Sequence, residues 1–324
     1  MNLKRVLITG TTPTGIAMGR ELARLHPNIQ FDVLTAENFD ESSRNDFKYK
    51  DTQYPNITYI TIRYFYIIKQ TVTKDNLKSF YLNPGNFSLY EGLQEYITKN
   101  IRFYDFIIST LLAFQRWRWF QELKKTKVVF CPEMVCSDLE YNKLFAKQIL
   151  VDAGIPTPEF TILNHETLIE EIEYLDLPAV VKCNVAYTGM GFATWVFRDR
   201  NYREVIPNVQ KAALAYDKTA LFYTERFISG AEISAHFLCN GREWVFMGAA
   251  RDYKKIRDGD QGINTSGAGT YAPSEHWTPD IERQVFDYMD KLMPYLGMLG
   301  LEYRGVMYLG IMIDEDGTAP VSYT

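Results

Sequence analysis

Residues 251–273 read RDYKKIRDGDQGINTSGAGTYAP, from Arg251 to Pro273. Asp252, Lys254, Asp258 and Asp260 put both charge signs into a run that also holds Asn264, Thr265, Gly267 and three further glycines. A loop that only faces water has no need of this glycine density beside Asn-Thr. Backbone amides and cations in such a segment can contact an anionic substrate while the carboxylates position an amine or a metal. The segment therefore reads as a substrate-side loop that follows a strand.

Upstream of it, Ile233 to Cys239 and Glu243 to Met247 flank Asn240-Gly241, a strong short-range hairpin signal. Tyr223 to Glu232 reads as a strand entering a turn, with Glu225 and Glu232 seven residues apart. The strand edge could offer backbone groups to an adenine ring, and Glu232 could accept both ribose hydroxyls. An exposed strand end with solvated glutamates fits these residues equally well. Val180 to Cys183 is a strand, Thr188 to Gly191 a tight turn, and Phe192 to Phe197 the returning strand. Gly189 and Gly191 let backbone N–H groups approach a phosphate, and Lys182 supplies a point charge for it. Taken alone, a glycine hairpin is an ordinary turn. A helix is predicted over Leu139 to Ala153, with Asp138 as N-cap, Gly154 just past its end and Pro156 barring continuation. Downstream, Val306 to Asp314 and Ala319 to Tyr323 form a hairpin around Asp316-Gly317.

The first third has a different grammar. Val6 to Ile8 is an apolar run, a Thr/Pro/Gly loop extends to Gly15, and a helix is predicted from Ile16 to Leu25. Strand, loop and helix in this order open a doubly wound α/β domain. Phe31 to Leu34, Asn56 to Tyr64, Phe106 to Ser109 and Val128 to Phe130 are its later strands, while residues 70–100 carry no clear pattern. Cys131 to Asn142 is the predicted linker, dividing the chain into domains at 1–135 and 136–324.

Composition narrows the function classes. The 324 residues are 46% hydrophobic and 23% charged, enough apolar surface to exclude intrinsic disorder. Lys+Arg is 35 against Asp+Glu 40, a net charge of −5 that argues against a nucleic-acid partner. The Gln115 to Trp119 and Lys124 to Lys127 region reads as an amphipathic helix with its cations outward. No apolar run is long enough to cross a bilayer, because Tyr104, Asp105, Ser109 and Thr110 interrupt the most apolar stretch, Phe103 to Phe114. Cys131, Cys136, Cys183 and Cys239 are too scattered for a disulfide framework, so a reducing, cytoplasmic setting is expected. The four histidines are isolated, which leaves no zinc spacing. Gly10 and Gly15 do not form a dinucleotide-binding fingerprint.

The order of these pieces resembles the ATP-grasp ligases, and within them phosphoribosylamine–glycine ligase (glycinamide ribonucleotide synthetase). Asn142 to Lys147 followed by Gly154-Ile155-Pro156-Thr157 resembles that family's lysine helix and its exit. Pro178 to Lys182 with Gly189-Met190-Gly191 is similar to its ATP-binding lysine and glycine loop. Glu225 and Glu232 match its hinge and ribose-binding glutamates, and residues 252–273 follow its substrate-side loop nearly position by position. The resemblance covers roughly residues 139 to 324. It implies an α/β protein, a Rossmann-like N-terminal domain followed by an ATP-grasp domain of two α+β subdomains. It further implies that Lys143, Lys182, Gly189, Gly191, Glu225 and Glu232 bind ATP. Asp252, Lys254, Asp258, Asp260, Asn264, Thr265 and Gly267 would face small-molecule substrates, an amino-acid carboxylate and an amine. ATP would phosphorylate the carboxylate, and the amine would displace phosphate from the acyl phosphate.

Three departures accompany the resemblance. Met190 stands where the family has a lysine between its glycines. The last strand reads Ala319 to Thr324, so Ser322 and Thr324, or Tyr323, occupy the places of the family's Glu and Asn ligands for Mg2+. No metal ligand is therefore assigned, although the family implies magnesium. Gly10 to Gly15 also lacks the family's phosphate loop. The expected reading is an ATP-grasp core incomplete at its C-terminal end and without the family's C-terminal domain. The alternative is an ATP- or substrate-binding protein that does not turn over.

Overall fold

A computed structural model describes residues 3–9, 12–39, 47–65, 88–109, 118–164, 166–184, 194–198, 205–207, 209–210, 221–257, 261–318 and 320–323. The chain gathers into two compact units, Met1–Met134 and Val135–Thr324.

The first unit is built on strands β1 (Arg5–Thr9), β2 (Gln30–Phe39), β3 (Phe47–Lys50), β4 (Ile57–Phe65), β5 (Phe106–Ser109) and β6 (Val128–Phe130). Among the described residues they form one sheet in the order β3-β4-β2-β1-β5-β6, with only β3 antiparallel to its neighbour. Val6, Leu7 and Ile8 are all buried, as expected of a central parallel strand covered on both faces. The strand order reverses between β1 and β5, where Thr9 pairs with Ser109 at the strands' carboxyl ends. The first helix starts at Thr12 rather than at Ile16. Pro13 lies in its opening turn, where a missing backbone donor is harmless. Two buried carboxylates tie the sheet to its surroundings. Asp32 accepts from Arg5 Nη2 at 2.7 Å and from the Tyr104 hydroxyl at 2.8 Å. Asp51 accepts from Arg20 Nε at 2.9 Å and the Tyr59 hydroxyl at 2.5 Å. Burial would raise the Asp51 pKa, but these donors and the amides of Tyr54 and Gln53 outweigh it and hold the carboxyl well below its ordinary range.

The second unit corrects the expected linker and helix. Residues predicted as linker form a 3-10 turn, Val135–Ser137, and a short helix, Asp138–Tyr141, with Cys136, Ser137 and Leu139 buried. The single helix predicted from Leu139 to Ala153 is broken at Asn142, and a second helix runs Lys143–Asp152. Asn142 is extended (φ −126°, ψ 92°) and its side chain accepts from Phe145 N at 3.1 Å, so Asn142, not Asp138, caps this helix. Gly154 ends it at φ +71°, the left-handed conformation expected there.

Two sheets follow. The smaller has the order β7-β10-β8-β9 among the described residues, from β7 (Phe160–Leu163), β8 (Ala179–Cys183), β9 (Thr194–Phe197) and β10 (Phe222–Arg226). One of its faces buries Val181, Cys183, Phe197 and Phe222 in a core with Leu163, Leu168 and Ile172. The larger sheet has the order β13-β12-β11-β14-β15, from β11 (Ala231–Asn240), β12 (Trp244–Arg257), β13 (Gln261–Tyr271), β14 (Arg304–Ile313) and β15 (Val321–Tyr323). Ile233, Ala235, Phe237 and Cys239 alternate inward along β11 and pack against the Pro279–Met298 helix through Val285, Met289 and Leu292. Of the segment read as a substrate-side loop, residues 251–257 and 261–271 are therefore strand. Arg251 pairs with Tyr271 and Asp252 with Thr270, making an irregular hairpin arm at the sheet's edge. The connector from β10 to β11 is tight: a Cβ on Gly230 would lie 1.8 Å from the Ile313 carbonyl oxygen.

Candidate functional site

In the small sheet, β8 and β10 run antiparallel with Lys182 opposite Tyr223 and Val180 opposite Glu225. Side chains two residues apart share a face, so Lys182 and Glu225 project together from the side opposite the apolar core. The Lys182 ammonium lies 2.6 Å from Glu225 Oε2. A third residue completes the cluster: Lys147, from the Lys143–Asp152 helix, places its ammonium 2.8 Å from Glu225 Oε1. The exposures are 2% for Lys147, 8% for Lys182 and 4% for Glu225, so all three charges are largely withdrawn from water.

Lys147 is further held by Thr157 Oγ1 at 2.8 Å and the Pro158 carbonyl at 3.2 Å, and it lies 5.2 Å from the centre of the Phe160 ring. Phe160 pairs with Glu225 across β7 and β10, so the ring belongs to the same enclosure. Burial lowers the Lys147 pKa, Glu225 opposes that shift, and the like charge of Lys182 adds to it. The Tyr223 phenol is pushed up, first by burial and then by Glu225. Two ammonium groups thus share one carboxylate in a dry place. A buried cluster of this kind can take a second anion, because hydrogen-bonded phosphate oxygens offset the desolvation of the ammonium groups.

The predicted residues fall into groups. Lys182 and Glu225 meet. Lys143 opens the same helix, and its backbone N–H donates to the Asn184 carbonyl at 2.9 Å. The lysine that reaches Glu225 is Lys147, one turn further on. Its signal was its place beside Ala146, Ile149 and Leu150 on the buried side of the helix. Glu232 lies on β11 opposite Met312, in the larger sheet rather than the smaller one that carries Glu225. The backbone puts Asp252 and Lys254 on β12 and Asn264, Thr265 and Gly267 on β13. Gly189, Gly191, Asp258 and Asp260 lie outside the described residues. Among the described residues, no group of three or more His, Cys, Asp or Glu side chains gathers to hold a metal ion. Ser322 lies on β15, a position that offers magnesium no carboxylate.

Residues 141–324, more than half of the chain, match the phosphoribosylglycinamide synthetase ATP-grasp (A) domain. The chain belongs to this family. It is 30% identical over 198 residues to phosphoribosylamine–glycine ligase of Leptospira interrogans, covering 60% of this chain and 46% of that protein. It is 32% identical over 201 residues to the ligase of the same name from Streptococcus suis, again covering 60% and 46%. The matched region is thus somewhat under half of these curated relatives. Solved structures extend the likeness to the fold of nearly the whole chain. Phosphoribosylamine–glycine ligase of Thermotoga maritima superposes with a TM-score of 0.65 at 22% identity, over 98% of this chain and 68% of that one. Biotin carboxylase of Campylobacter jejuni gives 0.65 at 15% identity, over 99% and 65%. The chain is therefore an α/β protein with an N-terminal part followed by ATP-grasp-like subdomains. Among the described residues, no helix is long and apolar enough to cross a membrane.

Proposed function

We propose that the chain is an ATP-dependent carboxylate–amine ligase of the phosphoribosylamine–glycine ligase type, and that Lys147, Lys182 and Glu225 form the seat of its nucleotide phosphates. The observation that carries this reading is the buried lysine–glutamate–lysine cluster on the face of the small sheet opposite its apolar core. Family membership supports it. In the proposed reaction, a carboxylate oxygen of the amino acid attacks the γ-phosphorus of ATP and the bond to ADP breaks. The amine then attacks the acyl carbon, phosphate leaves, and the nitrogen gives up a proton. The protein's part is positioning and charge neutralisation. Lys147 and Lys182 would hold phosphate oxygens, Glu225 would keep both lysines aimed, and Glu232 would take the ribose. The hairpin of β12 and β13 would face the small-molecule substrates. No magnesium ligand is assigned, so no step here runs through the ion. A cytoplasmic location belongs to the same proposal and is supported by the scattered cysteines.

A second reading, in which the chain binds nucleotide without turning it over, is consistent with the described residues, which gather no group of three or more His, Cys, Asp or Glu side chains. Calorimetric titration with ATP, with and without magnesium, followed by ADP release in the presence of glycine and phosphoribosylamine, separates the two. Substrate-dependent ADP release supports the ligase. Binding without release supports the second reading, and absence of ATP binding overturns both.

A further inference from the structure

The segment leaving the Lys143–Asp152 helix joins two parts of the second unit. The Thr157 hydroxyl donates to the Val321 carbonyl at 2.7 Å and accepts from Lys147 Nζ at 2.8 Å. A hydroxyl has a single proton, so giving it to Val321 turns the lone pairs toward the ammonium. Val321 N–H in turn donates to the Pro156 carbonyl at 2.8 Å. The same short segment therefore grips β15 through both backbone groups of Val321. The hydrogen-bonded and ionic contacts run without a gap from Val321 through Thr157, Lys147 and Glu225 to Lys182.

We infer that Thr157 is a positioning residue that couples the seating of β15, in the large sheet, to the aim of Lys147 and so to the way Glu225 is divided between two lysines in the small sheet. The inference rests on the nucleotide reading proposed above and adds to it a residue that acts through Lys147. Without the hydroxyl, Lys147 keeps the longer contact to Pro158 and its ion pair with Glu225. A buried ammonium short of one acceptor leans harder on its carboxylate. That draws Glu225 away from Lys182 and loosens both cations as phosphate ligands. A role in stability alone would leave nucleotide affinity untouched.

The test compares Thr157→Val, which removes the hydroxyl and keeps the shape, with Thr157→Ser, which keeps the hydroxyl. ATP affinity is measured by calorimetry on the full chain without magnesium, and the 15N-ammonium signal of Lys147 is measured without nucleotide. Thr157→Val is expected to weaken ATP binding about five- to tenfold and to move the ammonium signal, with Thr157→Ser within about twofold of wild type. Wild-type affinity and an unmoved signal in Thr157→Val overturn the inference, as does a Thr157→Ser protein that behaves like Thr157→Val. If Thr157→Val does not purify folded, Thr157→Ala against Thr157→Ser makes the same comparison. A wild-type chain that fails to bind ATP overturns the nucleotide reading alone, and the ammonium signal then decides the role of Thr157.

Discussion

Gly230 and Ile313 meet backbone to backbone: a Cβ on Gly230 would stand 1.8 Å from the Ile313 carbonyl oxygen and 2.7 Å from its carbon. The contact closes the turn between the strand that carries Glu225 and the strand that carries Glu232 against the end of β14. Neither group is the far end of a flexible side chain, so neither can step aside. Gly230→Ala is expected to destabilise the second unit by about 2–3 kcal/mol. Urea denaturation checks this, and an unchanged midpoint would show that the turn relaxes.

Removing one partner of the lysine–glutamate cluster should separate stability from binding. Glu225→Gln leaves two buried ammonium groups facing a neutral amide, and a loss of about 3–5 kcal/mol is expected in chemical denaturation. Lys182→Ala leaves the Lys147–Glu225 pair intact and removes a charge-assisted phosphate contact. ATP affinity should fall about tenfold or more, with a smaller change in stability. Equal stability losses in both variants would contradict the division of roles.

Glu140 is half-buried, and burial pushes its carboxyl up to about 7. Its folded pKa lies above the unfolded value, so its contribution to stability is complete below about pH 4.5 and is lost as pH rises through about 7. Glu140→Gln should therefore stabilise the chain by about 1–2 kcal/mol at pH 8 and have little effect at pH 4. Thermal melts at the two pH values test this. A gain of equal size at both would point to packing instead.

Asn142→Ala should cost about 1 kcal/mol by removing the side-chain acceptor for Phe145 N–H. Asp138→Ala should cost less, because Asp138 does not cap the Lys143–Asp152 helix. Paired melting curves distinguish the two positions, and the reverse order would restore the single-helix reading.

Much of the fold could be read from local chemistry. The Asn240-Gly241 hairpin was legible because Gly241 takes φ +98°, a value that suits glycine. The end of the Lys143–Asp152 helix was legible from Gly154 and Pro156. Residues 251–257 and 261–271 were not legible as strands, since glycines and charges erase the alternation that marks a half-buried strand. Their extended form comes from pairing with each other, Arg251 with Tyr271 and Tyr253 with Gly269. Asn142 read as part of a helix because nothing local marks where a chain must turn to meet a core. In the site, Lys182 and Glu225 stood out by strand position. Lys147 did not, because a lysine is buried only when paired, and its partner lies 78 residues away in sequence.

The lysine–glutamate–lysine cluster also constrains how the protein can change over generations. Each ammonium is tolerable only beside the carboxylate, and the carboxylate only beside an ammonium. Among relatives, positions 147, 182 and 225 should therefore be inherited as a set. A lineage that abandons one charge should show compensating replacements at the other two, even if it no longer uses the nucleotide.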